Sequence, residues 1–213
     1  MGCDIHMYVE RKVGQKWCRV SEKKGITHPY YEEALNDKAK NYFNRKTWTT
    51  GRNYKLFGLL AGVRSSVFLP FFSPRGLPSD LSAGCKREWK LGETDWHSAS
   101  YLTLTELLSI QDKIEDVPCF LDVSSFREYK KTGKLPEFYH HYPPVGVIPV
   151  SNEKMERIME LASFLDESQY WTQVENKVPV KEISKTFFVD IIAAMQALSK
   201  NTDKVRCVFW FDN

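Results

Sequence analysis

The sequence contains no apolar run long enough to cross a membrane, because charged residues or prolines interrupt every such run well before about 18 positions. Its start does not resemble a signal peptide, since Asp4, His6 and Glu10 occupy the place of an apolar segment. The five cysteines are odd in number, scattered and without a Cys-x-x-Cys pair, which is typical of reduced thiols. These absences predict a cytoplasmic protein that makes no contact with a membrane.

The signature motifs of several enzyme classes are missing as well. There is no P-loop, no Gly-x-Gly-x-x-Gly, no His-Glu-x-x-His and no Gly-x-Ser-x-Gly. The opening Asp4-Ile5-His6 is similar to that of calcineurin-like metallophosphoesterases, but the other characteristic blocks of those enzymes are absent. The His-x-Thr and His-x-Ser pairs of two-histidine phosphoesterases are absent too. Neither phosphoesterase plan therefore transfers to this chain.

The chain does contain enough apolar and aromatic material for a sizeable core. Of its 213 residues, 42% are hydrophobic and 14% aromatic, a length and composition that suit one domain over residues 1–213. The formal net charge of +3 permits a phosphate-bearing ligand but falls short of what duplex nucleic acid would require. Basic residues are denser between Arg45 and Arg87, where Asp80 is the only acid.

Local patterns predict an α+β domain with a mostly antiparallel sheet and packed helices. Alternation predicts a hairpin around Gly14, and an apolar run predicts a central strand over 205–211. Residues 21–52 predict a long, partly helical excursion. Other helices are predicted over 54–63 after Asn53, over 104–112 after a capping box, from Ser124-Ser125 to Gly133, over 152–165 after Ser151 and over 186–199, with short strands over 99–102 and 170–174.

Residues 64–96 are rich in proline and glycine, which predicts a long loop without a regular element. Aromatic residues such as Phe68, Trp89 and Trp96 argue against disorder in this stretch. We therefore expect an ordered loop that covers another part of the domain.

Two Asp-x-His pairs, Asp4 with His6 and Asp95 with His97, are the best lead to chemistry in a chain with only five histidines. In a strand, residues two apart project to the same face, so Asp4 is expected beside His6. Such a pair suits a metal site, or a general base with an orienting carboxylate. The alternative is a histidine satisfied by a neighbouring backbone group. The pattern leaves open whether a divalent metal is the cofactor.

His97 lies where the long loop enters a strand, and such junctions commonly position catalytic groups. Ser98 or Tyr101 could donate a hydrogen bond to a phosphate or to a developing oxyanion. The alternative is that Tyr101 belongs to the core and that Ser98 is a turn residue.

Several residues of the chain suit a phosphate or a base. Arg75 lies in a turn bracketed by prolines, where it suits a phosphate or, equally, a carboxylate that pins the loop. Arg52 and Asn53 precede the predicted helix, whose N-terminus favours anions, while Arg64 follows its end. Tyr54 could stack on a base.

A set of longer motifs resembles a family of small proteins encoded by bacteriophages and prophages. The motifs are Met-Gly-Cys-Asp-Ile-His at the start, Arg52-Asn53-Tyr54-x-Leu56-Phe57-x-Leu59-Leu60-Ala61-Gly62-Val63-Arg64, Ser73-Pro74-Arg75-Gly76-Leu77-Pro78 and His97-Ser98-x-Ser100-Tyr101-Leu102-Thr103-Leu104. They extend from Met1 to about residue 110. The resemblance implies that their polar residues share one pocket: Asp4, His6, Arg52, Asn53, Arg64, Arg75 and His97.

Small phage proteins often counter bacterial defence, for example by cleaving or sequestering its nucleotide messengers. The resemblance therefore implies a phosphodiesterase-like hydrolase that acts on a nucleotide or cyclic oligonucleotide in the host bacterial cytoplasm. In it His6 and His97 would be acid–base or ligand residues, oriented by Asp4 and Asp95. Two alternatives stay open: a protein that sequesters the nucleotide without cleaving it, and a protein-interaction inhibitor whose motif residues hold the long loop together. The sequence does not determine the oligomeric state.

Overall fold

A computed structural model describes residues 3–20, 52–65, 67–92, 94–161 and 167–212. The excursion predicted over 21–52 lies outside the described residues except for Arg52. Helices and mostly antiparallel strands alternate along the described residues, which confirms the α+β class. The elements are β1 (Ile5–Val13), β2 (Lys16–Arg19), α1 (Tyr54–Ala61), α2 (Ala83–Lys90), β3 (His97–Thr103), α3 (Leu104–Ile110), β4 (Ile114–Asp116), β5 (Cys119–Asp122), α4 (Val123–Thr132), β6 (Ile148–Val150), α5 (Asn152–Glu160), β7 (Tyr170–Val174), β8 (Lys177–Pro179), α6 (Val180–Ile183), a π-helical turn (Phe187–Ile191) that leads into α7 (Ile192–Leu198), and β9 (Val205–Phe211).

The chain divides into two compact units. The first comprises Met1–Lys113 and Pro179–Asn213, and the second comprises Ile114–Val178. The expectation of one domain over the whole chain stays a prediction. None of the helices in the described part of the chain reaches the length and apolar character that a bilayer span requires.

A four-stranded antiparallel sheet with the order β2-β1-β9-β3 forms the centre of the first unit. Gly14, with a φ of +57°, makes the turn of the β1–β2 hairpin. Every residue of β9 is buried, because the strand is hydrogen-bonded on both edges and covered on both faces. The predictions of an N-terminal hairpin and of a central final strand are confirmed.

The pairing register assigns the side chains of this sheet to two faces. Neighbouring residues of a strand project to opposite sides, so Trp210 and Phe211 mark what we name the tryptophan face and the phenylalanine face. Trp210 packs with Trp89 of α2, their ring centroids 5.4 Å apart. Phe57 of α1 packs on Phe211 at 5.4 Å, on the other side of the sheet. The sheet is therefore buried between α2 and α1.

A buried ion pair anchors the loop before α2 to the tryptophan face. Arg206 donates from Nε to Glu10 at 2.7 Å and from a terminal nitrogen to Asp80 at 2.7 Å. The second Glu10 oxygen accepts the backbone N–H of Ser82 at 2.9 Å. Burial raises the pKa of the Asp80 carboxyl, but hydrogen bonds and charge from Arg206, with a bond from Trp17, outweigh it and hold the pKa below its ordinary value.

Helix α2 interrupts the region predicted as a loop without a regular element, so that part of the prediction is wrong. The Ser82 side chain caps the helix by accepting the N–H of Cys85 at 3.3 Å. Gly84 lies in the first turn, where a Cβ would meet the side chain of Arg19 at 3.1 Å. The cap and the buried Cys85 together outweigh the weak helix propensity of one glycine.

The helix caps follow the sequence signals with one exception. Asn53 caps α1, Ser151 caps α5, and Thr103 with Glu106 forms the expected capping box of α3. For α4 the cap is Asp122 rather than Ser124-Ser125, because the Asp122 carboxylate accepts the N–H of Ser125 at 2.7 Å. Asp122 ends β5, a strand of four residues that is too short to give a clear alternation.

The second unit contains a three-stranded sheet with the order β5-β7-β6, in which β6 runs parallel to β7. Helices α4 and α5 pack on it. Strand β7 confirms the prediction for 170–174, whereas β5 and β6 have no counterpart among the predicted elements. The buried residues of this core are Cys119, Leu121, Val123, Phe126, Met155, Ile158 and Val174.

Candidate functional site

Four polar side chains meet where the N-terminal strand and the final strand end together. Asp4 and Asp212 lie beyond the last paired residues of β1 and β9, opposite each other. The backbone N–H of Asp212 donates to the Asp4 carbonyl at 3.3 Å, and the Asp4 N–H donates to Asp212 Oδ1 at 2.7 Å. His6 and Arg52 complete the group, which we name the acid–base cluster: Asp4, His6, Arg52 and Asp212.

The carboxylate next to His6 belongs to Asp212, not to Asp4. His6 Nε2 lies 3.3 Å from Asp212 Oδ2, and the two side chains are 30% and 29% exposed. An imidazole held by a carboxylate and still open to solvent has the arrangement of a general acid or base. The predicted pairing of Asp4 with His6 is therefore replaced by a pairing across the β1–β9 ladder. No local pattern pointed to Asp212, because its pairing with His6 depends on the register of two strands that are far apart in the chain.

Asp4 instead binds Arg52. Arg52 Nε donates to Asp4 Oδ1 at 2.5 Å, and both side chains are more than half exposed. The hydrogen bond from Arg52 and its positive charge hold the pKa of the Asp4 carboxyl below its ordinary value, and the charge of His6 adds to the effect. Among the described residues, the terminal nitrogens of Arg52 have no hydrogen-bond partner. This guanidinium is therefore placed to receive an anion beside His6.

Aromatic rings line the tryptophan face next to the cluster. The Trp96 ring lies 5.3 Å from the His6 ring and stacks on Trp210 at 5.2 Å. Trp96 in turn lies against Gly92, where a Cβ would meet the indole ring at 2.6 Å. Because Gly92 has no Cβ, the Trp96 ring can pack against it and lie next to His6. Trp96 is only partly buried and could offer a stacking surface to a flat ligand.

His97 lies on the opposite face of the sheet from His6. It pairs with Phe211 in the ladder and stacks on the Phe211 ring at 5.9 Å, whereas His6 pairs with Trp210. Its Nδ1 is 3.0 Å from Ser98 Oγ, and its Nε2 is 3.9 Å from Cys3 Sγ. The two predicted histidines are therefore near the same end of the sheet but are separated by it.

Asp95 is exposed on the turn before β3 and accepts a bond from the Thr94 hydroxyl at 3.4 Å. The orienting contact of His97 comes from Ser98 rather than from Asp95. Ser98 has a φ of +51° and lies in a β-bulge that shifts the register between His97 and Ser100. The i, i+2 rule for a regular strand does not apply to Asp95 and His97, because Asp95 lies in the turn before β3 begins at His97.

Arg75 binds a carboxylate, as one of the two interpretations of its motif predicted. A terminal nitrogen donates to Glu106 at 2.6 Å, and the guanidinium lies over the ring of Tyr101 at 5.4 Å. The backbone of Arg75 donates to Ser100 Oγ at 3.2 Å, and Gly76 N–H donates to the Ala99 carbonyl at 2.9 Å. The Pro-bracketed turn therefore covers the free edge of β3. Arg75 and Tyr101 pin this turn to the sheet.

The remaining predicted ligand residues have different positions. Asn53 caps α1 and donates to Ser184 Oγ at 2.8 Å, so both ends of its amide are used. The Tyr54 hydroxyl accepts the Cys3 N–H at 3.0 Å and donates to the Cys3 carbonyl at 2.8 Å. Arg64 is exposed just beyond α1 with a φ of +51°. Of the predicted set, Asp4 and Arg52 contact each other directly, His6 joins them through Asp212, and Tyr54 joins them through Cys3.

No group of three or more His, Cys, Asp or Glu side chains is placed to hold a metal ion within the described ranges. The chain matched no protein-family model, no curated protein and no solved structure in the comparisons.

Proposed function

We propose that this chain is a phosphodiesterase-like hydrolase of a nucleotide or cyclic oligonucleotide, and that His6 is its acid–base residue. The observation that carries the proposal is the His6–Asp212 pair at 3.3 Å, in which both side chains stay partly exposed. The carboxylate orients the imidazole and stabilises its protonated form. The resemblance to phage proteins supports a substrate among the nucleotide signals of bacterial defence, met in the host cytoplasm.

Arg52 is assigned to the phosphate. The cluster holds two carboxylates, which repel a phosphate, so binding one requires a guanidinium that keeps donors beyond its pairing with Asp4. Asp4 engages Nε of Arg52 and leaves the terminal nitrogens for a bidentate contact. Trp96 next to His6 supplies a ring against which a base could stack.

In the proposed reaction, a water molecule attacks phosphorus while the bond to the leaving oxygen breaks. His6 takes the proton from this water and passes it to the leaving oxygen, so that the imidazole returns to its starting state. Asp212 keeps the ring in place, and Arg52 balances the charge that develops on the phosphoryl oxygens. His97 takes no part in this scheme because the sheet separates it from His6.

The test is incubation with mono-, di- and cyclic nucleotides, followed by heat denaturation and chromatography of the released material. New products are expected with the wild type. His6→Gln should lower the rate by about 10²–10⁴-fold, the usual contribution of a general acid or base. His140→Gln, which changes an imidazole of the second unit that contacts Trp171, is the matched control and should keep the wild-type rate. Wild-type turnover in His6→Gln would refute the assignment.

Sequestration without cleavage is the second candidate, and the separation of the two histidines favours it. The acid–base cluster contains one imidazole, whereas many hydrolases of this type use two titrating groups. In this case the nucleotide would disappear from solution and return intact on heating. Arg52→Ala should then weaken binding more than His6→Gln does. Equal affinity of Arg52→Ala and the wild type would contradict this candidate.

A further inference from the structure

The outer side of helix α2 carries three cations, which we name the basic face: Lys86, Arg87 and Lys90. All three side chains are exposed, whereas Cys85 and Trp89 on the inner side pack on the tryptophan face of the sheet. Among the described residues, no carboxylate pairs with any of the three. The basic face therefore keeps its donors and its positive charge for another molecule.

The one acid of α2 lies away from the two lysines and is already neutralised. Glu88 accepts a hydrogen bond from Arg19 of β2 at 2.6 Å. At about 100° of rotation per residue, Lys86 and Lys90 lie on one side of Trp89 and Glu88 on the other. Strands β2 and β3 are opposite edges of the sheet, so the lysine side of the helix is turned toward β3.

Helix α2 runs along the sheet toward the acid–base cluster. Its N-terminal cap is bound by Glu10, whereas Trp89 in its last turn packs with Trp210, the ladder partner of His6. Trp89 also lies 5.5 Å from the ring of Trp96, which in turn lies 5.3 Å from the His6 ring. Two partly exposed indoles thus connect the basic face with the proposed acid–base residue.

Neither the helix dipole nor a uniform surface charge accounts for the basic face. The dipole favours cations in the last turn, which suits Arg87 and Lys90, but Lys86 lies in the first half of the helix. The first unit has 23 basic and 16 acidic residues, whereas the second has seven basic and 11 acidic ones. A polyanion is therefore attracted to the first unit, to which α2 belongs.

We propose that the basic face binds the backbone phosphates of a single-stranded oligonucleotide whose scissile phosphate lies at Arg52 and His6. This assignment rests on the proposed hydrolysis and narrows its substrate to chains with several phosphates. One base lies against Trp96, and the phosphates beyond it reach Lys90 and Lys86. Cationic side chains beside aromatic rings are the usual means of binding single strands. Contacts to phosphates alone place the chain without selecting its sequence.

The test measures how tightly fluorescein-labelled hexathymidylate and a thymidine dinucleotide bind in the His6→Gln background, where cleavage does not deplete the ligand. A second protein adds Lys86→Gln, Arg87→Gln and Lys90→Gln. Its affinity for the hexamer, relative to that for the dinucleotide, should fall at least about tenfold. The plot of log affinity for the hexamer against log salt concentration should become less steep by about 2, since each contact to a single strand contributes about 0.7.

The matched control replaces three exposed lysines of the second unit by glutamine: Lys131, Lys134 and Lys154. It removes the same net charge, so a general loss of attraction would lower the affinity of both variants alike. The six substituted side chains are all exposed, and circular dichroism should show that both variants keep the fold. Equal hexamer affinity and equal salt dependence in the two variants would overturn the proposal.

Turnover by the protein with His6 intact distinguishes this substrate assignment from the hydrolysis on which it rests. A kcat/KM that is higher for the hexamer than for the dinucleotide, and that falls when the basic face is neutralised, would support both. Products from both ligands with equal kcat/KM would overturn the substrate assignment and leave the hydrolysis standing. No products, together with a salt dependence that requires the basic face, would refute the hydrolysis and keep α2 as the binding surface of a sequestering protein.

Discussion

The carboxylate of Asp212 joins His6 to the other end of the chain, with Oδ2 3.3 Å from the imidazole Nε2. Its second oxygen accepts the backbone N–H of Asp4 at 2.7 Å, so one side chain closes the end of the β1–β9 ladder and orients the imidazole. The proposed chemistry therefore depends on the same pairing that holds the sheet together.

The first prediction separates the two carboxylates of the acid–base cluster. Asp212→Asn should lower kcat for the proposed nucleotide hydrolysis by about 10²-fold, because the amide cannot stabilise the protonated imidazole. Asp4→Asn should mainly raise KM, since Asp4 contacts Arg52 rather than His6. Steady-state kinetics of both variants would check this. Equal losses of kcat in the two variants would show that the carboxylates are not specialised.

The second prediction concerns the buried ion pair on the tryptophan face. Arg206→Leu should lower the free energy of unfolding by about 3–5 kcal/mol, because it leaves the Glu10 carboxylate buried without its partner. Glu10 is 0% exposed and Arg206 is 3% exposed. Urea denaturation measures the change.

The control for this substitution is Arg127→Leu, which breaks the exposed pair with Glu167 and should cost about 0–1 kcal/mol. Replacing Glu10 and Arg206 together by leucine should recover part of the loss, since no charge then stays buried. A loss below about 1 kcal/mol in Arg206→Leu would contradict the role given to the pair.

The third prediction is a pH dependence from Glu106. Burial raises the pKa of its carboxyl, but the bonds from Arg75 and Thr103 outweigh burial and hold the pKa below the ordinary value of 4.5. A lowered folded-state pKa contributes stability that is present above pH 4.5 and is lost as the pH falls through the lower, folded-state value. The free energy of unfolding of the wild type should therefore exceed that of Glu106→Gln by about 1 kcal/mol at pH 6. This difference should vanish at strongly acidic pH.

Chemical denaturation of both proteins across this range provides the measurement. Arg75→Gln is the matched variant, because it keeps the carboxylate and removes the stronger of its partners. Its stability should depend less steeply on pH than that of the wild type. A constant difference between wild type and Glu106→Gln at every pH would rule out the ionised carboxylate as the source.

The fourth prediction concerns the glycine beneath Trp96. Gly92→Ala should destabilise the protein by about 1–3 kcal/mol, because the new Cβ would lie 2.6 Å from the indole and force the ring away from His6. Tryptophan fluorescence should change with it. Gly84→Ala is the control: the nearest atoms to its Cβ belong to the Arg19 side chain, at 3.1 Å rather than 2.6 Å, and alanine adds helix propensity to α2. Similar effects of the two substitutions would argue against a tight packing of Trp96.

Much of the fold can be predicted from local patterns in the sequence. The hairpin, the caps at Asn53, Thr103 and Ser151, and the buried final strand are each encoded by residues close to one another in the chain. Strands of three or four residues, such as β4, β5 and β6, contain too few positions to show a period. Helix α2 was not predicted, because Gly84 and the prolines before it are typical of loops.

The sequence by itself determined the α+β class and the elements with strong local signals, and it pointed to His6 and Arg52 as candidates. Only the tertiary structure decided which groups meet. In the structure His6 contacts Asp212 rather than Asp4. His97 contacts Cys3 on the opposite face of the sheet, and Arg75 binds Glu106. The physical reason is that strand register and a β-bulge decide on which face a side chain lies. Both arise from pairing between segments far apart in the chain, which no local pattern records.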